Sequence, residues 1–307
     1  MKADIVLSRL TAPVGGRDRR DTILSSAAHY SRPFRSDTFP VMTRRHLPHA
    51  LAAGLLLSIT GCTTVQSALP APVPPPSTGT EVLQRMRAKY DGQWFQTMQF
   101  TQENTRYLAN GTTERSQWQE YMMVPGRLRI EFMPATGGNG AIYADGNVYS
   151  FEGGKLARTT PQLNILLNLT ADVYAQPVEI SARQLTSVGI DLTRLRRETY
   201  NGQPVWVVGS TGPADLGSPQ FWVEDGEWVV VRVIDRPPLG GAQGPRPATE
   251  YRLADYRSLN GVPVVHDITF LRDGKAFFRE QYTEVQLNIP LDARLFSSSQ
   301  WRVPAKP

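Results

Sequence analysis

Apolar and polar residues alternate one by one through much of the chain after residue 95. Leu128, Ile130 and Phe132 alternate with Arg127, Arg129 and Glu131, the period of a strand with one face on a core and the other in water. Asp145-Gly146 separates the apolar runs Ala141–Ala144 and Val148–Phe151, which predicts a tight hairpin. Asp225-Gly226 separates Gln220–Val223 from Trp228–Ile234, and Asp273-Gly274 separates Val264–Leu271 from Ala276–Leu287. Asn201-Gly202 and Asn260-Gly261 mark further turns. Turn signals at this regularity predict a meandering antiparallel sheet.

Helical spacing interrupts the strands in three places. Val82, Met86 and Tyr90 fall on one face at i, i+4 and i+8, with Thr80 as the expected cap. Thr160-Pro161 reads as a capping residue followed by proline at the first helical position. Leu163, Leu166 and Leu167 would then line one face, with Asn164 and Asn168 opposite. Ile180–Leu185 is a further short helix. Helices set into an antiparallel sheet define an α+β domain.

Before this domain the pattern is of another kind. Met42-Thr43-Arg44-Arg45 is basic, Leu51 to Ile59 is apolar, and Gly61 precedes Cys62, the only cysteine of the chain. Basic, apolar and small residues in that order make a secretory signal, and the apolar run is shorter than the ~20 residues a bilayer span needs. The end of the run resembles the lipobox of bacterial lipoproteins. That resemblance implies cleavage before Cys62 and acylation of its thiol. Thr63 follows, without the aspartate that holds many such proteins in the inner membrane, so the outer membrane's periplasmic face is the expected site. Residues 1–41 fit no export signal and are either an extension upstream of the true start or a disordered tail. Residues 42–61 are the signal peptide, 62–79 a Pro-rich tether through Pro70, Pro72 and Pro74–Pro76, and 80–303 the folded domain.

Charge supports that division. Residues 1–61 hold nine basic and four acidic side chains, which is the whole net charge of +5. The remainder is balanced at 24 basic and 24 acidic residues, so nothing marks a nucleic-acid partner.

Several short segments resemble the lipoprotein-carrier superfamily of LolA and LolB. They are Phe100-Thr101-Gln102, Val124-Pro125-Gly126-Arg127-Leu128-Arg129-Ile130, Ala144-Asp145-Gly146-Asn147-Val148-Tyr149, and the end from Tyr282 to Phe296 with Asn288, Leu291, Asp292 and Leu295. Order and approximate spacing agree over roughly residues 81–300. The extra segment Asp235–Thr249 and the anchor at Cys62 depart from the soluble carrier. The resemblance implies a curved antiparallel sheet forming an unclosed β-barrel, capped by short helices over an apolar cavity. It implies an acyl chain or lipoprotein lipid moiety as cargo, in sorting, transport or envelope maintenance. No single ligand-contacting residue can be carried over from it.

The apolar strand faces supply the candidate lining: Met98, Phe100, Leu128, Ile130, Phe132, Val205, Val207, Phe221, Val223, Val264, Ile268 and Phe270. Leu163, Leu166 and Leu167 are the candidate lid. Patterning alone does not separate a lipid-lined cavity from a filled core. A filled core would leave an anchored scaffold or sensor for another envelope protein.

Enzyme signatures are absent from the sequence. His266 is the only histidine after Cys62 and lies on an apolar strand face, as a core histidine does. There is no HExxH pair and no G-x-S-x-G elbow, so neither a metal, a cofactor nor a catalytic residue is expected. Gly137-Gly138-Asn139-Gly140 precedes a strand and reads as a turn. Glu224, Asp225 and Glu227 read as a solvated turn, Arg194, Arg196 and Arg197 as a solvated strand end, and Trp206, Trp222 and Trp228 as core. The alternatives are a cation or acid-base site, an anion-binding patch and a binding surface, respectively.

Overall fold

The computed structural model describes residues 74–236 and 248–302. The leader, Cys62, most of the Pro-rich run and the Leu239-Gly240-Gly241 pair lie outside the described residues.

Among the described residues, thirteen strands form one antiparallel sheet. They are β1 (Thr97–Tyr107), β2 (Thr113–Met123), β3 (Arg127–Phe132), β4 (Gly140–Ala144), β5 (Asn147–Glu152), β6 (Lys155–Pro161), β7 (Leu195–Tyr200), β8 (Gln203–Val208), β9 (Gln220–Glu224), β10 (Val230–Asp235), β11 (Thr249–Leu259), β12 (Val262–Arg272) and β13 (Lys275–Leu287). Their spatial order is β6-β5-β4-β3-β2-β1-β13-β12-β11-β10-β9-β8-β7. Two meanders are therefore joined back to back by the β1–β13 pair, and β6 and β7 remain as the two free edges. The chain leaves the sheet at one edge and re-enters at the other. Between them lie α2 (Ile165–Leu167), a π-helical turn (Asn168–Asp172), α3 (Val173–Ala175) and α4 (Val178–Ser187). Helix α1 (Gly79–Lys89) precedes β1 and packs against α3 and α4. The expected unclosed sheet with a helical cover follows from this connectivity.

The hairpins form where the turn chemistry placed them. Asp145-Gly146, Asn201-Gly202, Asn260-Gly261 and Asp273-Gly274 all have positive φ at both positions, the twist that matches two-residue hairpins. The Asp225-Gly226 hairpin differs. Glu224 N–H donates to Val229 O at 2.9 Å, and Trp228 rather than the glycine takes a left-handed φ of 56°. The loop thus runs over five residues, and its strand resumes at Val230.

Two helix starts are corrected. Thr78, not Thr80, caps α1, its side chain accepting from Glu81 N–H at 3.2 Å. Val82, Met86 and Tyr90 are buried as expected. Thr160-Pro161 does not open a helix, because β6 runs through Pro161, and Asn164 caps α2 by accepting from Leu167 N–H at 3.0 Å. An edge position accepts proline, which lacks the N–H that an inner strand would need. Asn164 and Asn168 are not a wet face either. Asn168 is fully buried and donates to Gln184 Oε1 at 2.7 Å.

The main core lies on one face of the sheet, under the helices. The other face is covered in patches. Arg129, expected in water, is 3 % exposed. Its guanidinium donates to Glu131 Oε1 at 2.7 Å and Leu295 O at 3.1 Å, and stacks 4.1 Å over Trp301. Trp301 also stacks on Phe151 at 4.3 Å, closing a small cluster with Ile142 and Ala144. At the far end of the sheet, Trp222 lies between Arg196 and Arg232 on the outer face, with Val205 and Val207 beside it.

Candidate functional site

Alternation along adjacent strands turns one row of residues from each toward the cover. Met98, Phe100 and Gln102 come from β1, Trp118, Glu120 and Met122 from β2, and Leu128 and Ile130 from β3. Tyr143, Tyr251, Val264, Phe270, Glu280 and Tyr282 follow from β4, β11, β12 and β13. Between this surface and residues 162–171 lies a cavity of about 170 Å³. Its roof includes Leu163, Leu166 and Leu167, the three leucines read as a lid.

Of the expected lining, Met98, Phe100, Leu128, Ile130, Val264 and Phe270 face the cavity. Phe132, Val205, Val207, Phe221, Val223 and Ile268 do not. Val205 and Val207 point to the outer face, because β8 turns Trp206 and Val208 inward instead. Phe221 pairs with Val208, and Val208 reaches α1 at Gly79, so the helix fills that end of the sheet. A Cβ on Gly79 would lie 2.4 Å from a Val208 methyl, and only glycine permits that approach. Val223 and Ile268 are fully packed in the same core, and Phe132 lies against Trp118 at 4.9 Å.

The roof is held by polar contacts. Asp172, at the end of the π-helical turn, accepts from Gly126 N–H at 2.8 Å, tying the cover to the β2–β3 turn. Burial pushes its carboxyl up to about 7, with the Gly126 bond opposing the rise. Thr170 donates to Leu166 O at 2.7 Å, and Gln176 donates to Gln184 Oε1 at 2.7 Å. Beyond the cover, Tyr174 stacks on Trp94 at 4.0 Å and donates to Trp228 O at 2.9 Å.

The cavity is not uniformly apolar, which the sequence reading missed. Glu120 is 4 % exposed and Glu280 is 7 % exposed, and both line it. Burial holds Glu120 well above the carboxylate range, and the Glu280 charge raises it further. Burial pushes Glu280 up to about 8, against the bonds from Tyr282 and Gln102. The signal was in the alternation itself: Glu120 lies between Trp118 and Met122, and Glu280 between Phe278 and Tyr282.

The other polar groups singled out are engaged structurally. His266 is buried with Nδ1 2.8 Å from Val264 O. Arg194 pairs with Asp191 at 2.9 Å, Arg196 with Glu198, and Arg197 with Asp225 at 2.6 Å. That neutralises the basic strand end. Glu224 accepts from Glu227 N–H at 2.6 Å, while Tyr90 donates to Glu227 O at 2.6 Å. Trp206 and Trp222 are buried, and Trp228 is half-buried. Among the described residues no three His, Cys, Asp or Glu side chains cluster as a metal site would. Among them, too, no helix is long and apolar enough to cross a membrane.

An unclosed antiparallel sheet with a helical crossover from edge to edge defines a class of fold. A DUF1329 family protein from Desulfovibrio piger aligns with this chain at a TM-score of 0.50 and 13% identity, over 73% of this chain and 98% of that one. A LolA superfamily protein from Nitrosomonas europaea aligns at 0.47 and 12% identity, over 71% of this chain and 98% of the other. A domain assigned to outer-membrane lipoprotein sorting, from Vibrio parahaemolyticus, aligns at 0.46 and 12%, over 72% and 97%. At these identities the likeness is one of fold. No family model matches the sequence, and no curated protein matches it either.

Proposed function

We propose that this chain is a lipid-anchored envelope protein that shelters an acyl chain, of a lipid or of a lipoprotein, in the cavity beneath residues 162–171. The observation that carries the reading is the cavity of about 170 Å³ bounded by Phe100, Leu128, Ile130 and Phe270 below and by Leu163, Leu166 and Leu167 above. Apolar walls on both sides reward a chain that leaves water by ~0.8 kcal/mol for each methylene buried. The described groups around the cavity offer hydrogen bonds and an apolar surface, which suits carriage without bond making. Acylation at Cys62 would hold the domain at the periplasmic face of the outer membrane, with the Pro-rich run as spacer. The sorting or maintenance of envelope lipids and lipoproteins is the process that such a tethered cavity suits.

Native mass spectrometry of the full chain carrying Cys62→Ser, purified from membrane-exposed preparations, tests this. A stoichiometric adduct of acyl-chain mass that disappears in Ile130→Trp supports it. A protein free of adducts after incubation with lipid vesicles overturns it and favours a scaffold. The free β6 edge, with Leu156 52 % exposed, is the surface a scaffold would offer.

A further inference from the structure

The cavity's polar end carries a charge pattern that an alkyl chain alone does not explain. Glu120 on β2 sits opposite Phe100, and Glu280 on β13 sits opposite Asn104. The two carboxyls therefore flank β1 diagonally, with Gln102 between them on the same face. Tyr143 and Tyr251 join them, 9 % and 8 % exposed, and their charges and dipoles are close enough to act on one another. Among the described residues, Glu120 and both of these tyrosine hydroxyls lack a hydrogen-bond partner, yet all three line the cavity. Glu280 accepts from Tyr282 at 3.1 Å, and Gln102 donates to Asn104 Oδ1 at 2.7 Å. Neither glutamate has an ion pair within the described residues. Asp235 adds a third carboxyl at the rim of the same cavity. Arg272 is the cation on this side; it acts on Tyr251 and stacks on Phe277 at 4.8 Å. Buried carboxyls ordinarily meet a cation or several N–H donors. Here the open side of the pair is the cavity.

We propose that the cavity takes an amphiphile whose apolar chain carries a primary ammonium, with the ammonium seated between Glu120 and Glu280. The inference rests on the acyl-chain reading and adds the head group to it. An ammonium offers three donors and one positive charge to two carboxyls and two phenols. A carboxylate or phosphate head finds no cation between the two glutamates and is repelled as soon as either of them ionises. The uncomplexed pair keeps at least one proton at neutral pH, because burial raises both carboxyls and the Glu280 charge raises Glu120 further. Entry of the ammonium ionises the pair and expels that proton to solvent.

The test uses the purified full chain with Cys62→Ser, titrated calorimetrically with decylamine, decanol and decanoate in two buffers of different ionisation enthalpy. Expected are decylamine binding at least about tenfold tighter than decanol, since charged hydrogen bonds exceed neutral ones, decanoate weakest, and proton release with decylamine alone. Glu120→Gln and Glu280→Gln should each reduce the preference for the amine over decanol and lower proton release. Should the variants fail to fold, proton release by the unaltered chain still decides the matter. Decanol binding with no preference for the amine overturns the head-group inference and leaves the cavity reading standing. No binding of any of the three overturns both.

Discussion

The size of the cavity sets a chain-length limit that can be measured. An apolar cavity of roughly 150 Å³ accommodates a benzene ring, so about 170 Å³ accepts roughly six to eight carbons without moving the cover. Within that range each added methylene contributes ~0.8 kcal/mol, about a fourfold gain in affinity. Beyond it, further carbons must displace Leu163, Leu166 and Leu167 or stay in water, so the gain per carbon falls towards zero. Titrating the Cys62→Ser chain with straight-chain alcohols from hexanol to dodecanol, whose heads carry no charge, should give a steep line that breaks near eight carbons. Releasing the roof moves the break. Asp172→Ala removes the bond to Gly126 N–H, at a cost of ~1–3 kcal/mol, and should carry the steep part to longer chains. An unbroken slope to dodecanol in the unaltered chain would show that the leucine cover does not bound the site. A flat series from the start would show that alkyl chains do not enter.

Asp172 also links the cover to pH. Asp172→Asn keeps an acceptor for Gly126 but cannot ionise, so amide exchange in residues 163–175 should resemble the unaltered chain at pH 5 and be slower than it at pH 8; equal exchange at both would refute the link. Burial pushes Glu280 up to about 8 in the folded chain, above the ordinary glutamate value of 4.5. The unfolded chain therefore loses its proton first, and stability should fall as pH rises from about 4.5 to 8 and then level off, by on the order of a few kcal/mol. Thermal melts across that window should slope downward, and Glu280→Gln should flatten the slope. Trp301→Ala uncovers Phe151 and removes the face on which Arg129 lies; a loss of ~2–4 kcal/mol is expected by urea unfolding, and a change under about 0.5 kcal/mol would mean that Trp301 does not stabilise the outer face of the sheet. Gly140→Ala should cost a similar amount, because its Cβ would lie 2.1 Å from Ile130 O and 2.5 Å from Trp301 Cη2.

What the sequence made legible follows from how locally each feature is determined. Four of the five Asp-Gly and Asn-Gly pairs read as turns are tight two-residue turns, because such a turn depends on its own φ angles. Leu166 and Leu167 lie on α2, whereas Leu163 precedes its cap Asn164 and reaches the cavity from irregular chain, so the helical spacing read for all three holds only for the last two. Local reading failed where a distant segment decides burial. Arg129 alternates as a wet residue should, and only the return of Leu295 and Trp301 dries it. Phe221 and Val223 face the same side of the sheet as Phe100, but α1 fills the space above them. Val205 and Val207 were assigned the wrong face because β8 is apolar on both sides, so period two gives no phase there.

The connectivity explains why the site and the cover coincide. Two antiparallel meanders joined at β1 and β13 leave β6 and β7 as free edges, and a chain running from one edge to the other must pass over a face. The passage crosses the face where Phe100, Leu128 and Phe270 would otherwise meet water. Its first half is short and interrupted: three residues of α2, a π-helical turn and three residues of α3. Such pieces cannot be stable alone. They hold their place through the Asp172–Gly126 bond and the leucines beneath. A cover built of short pieces over a space it does not fill is an arrangement in which a ligand's chain can replace roof leucines without disturbing the β1–β13 pairing that joins the two meanders.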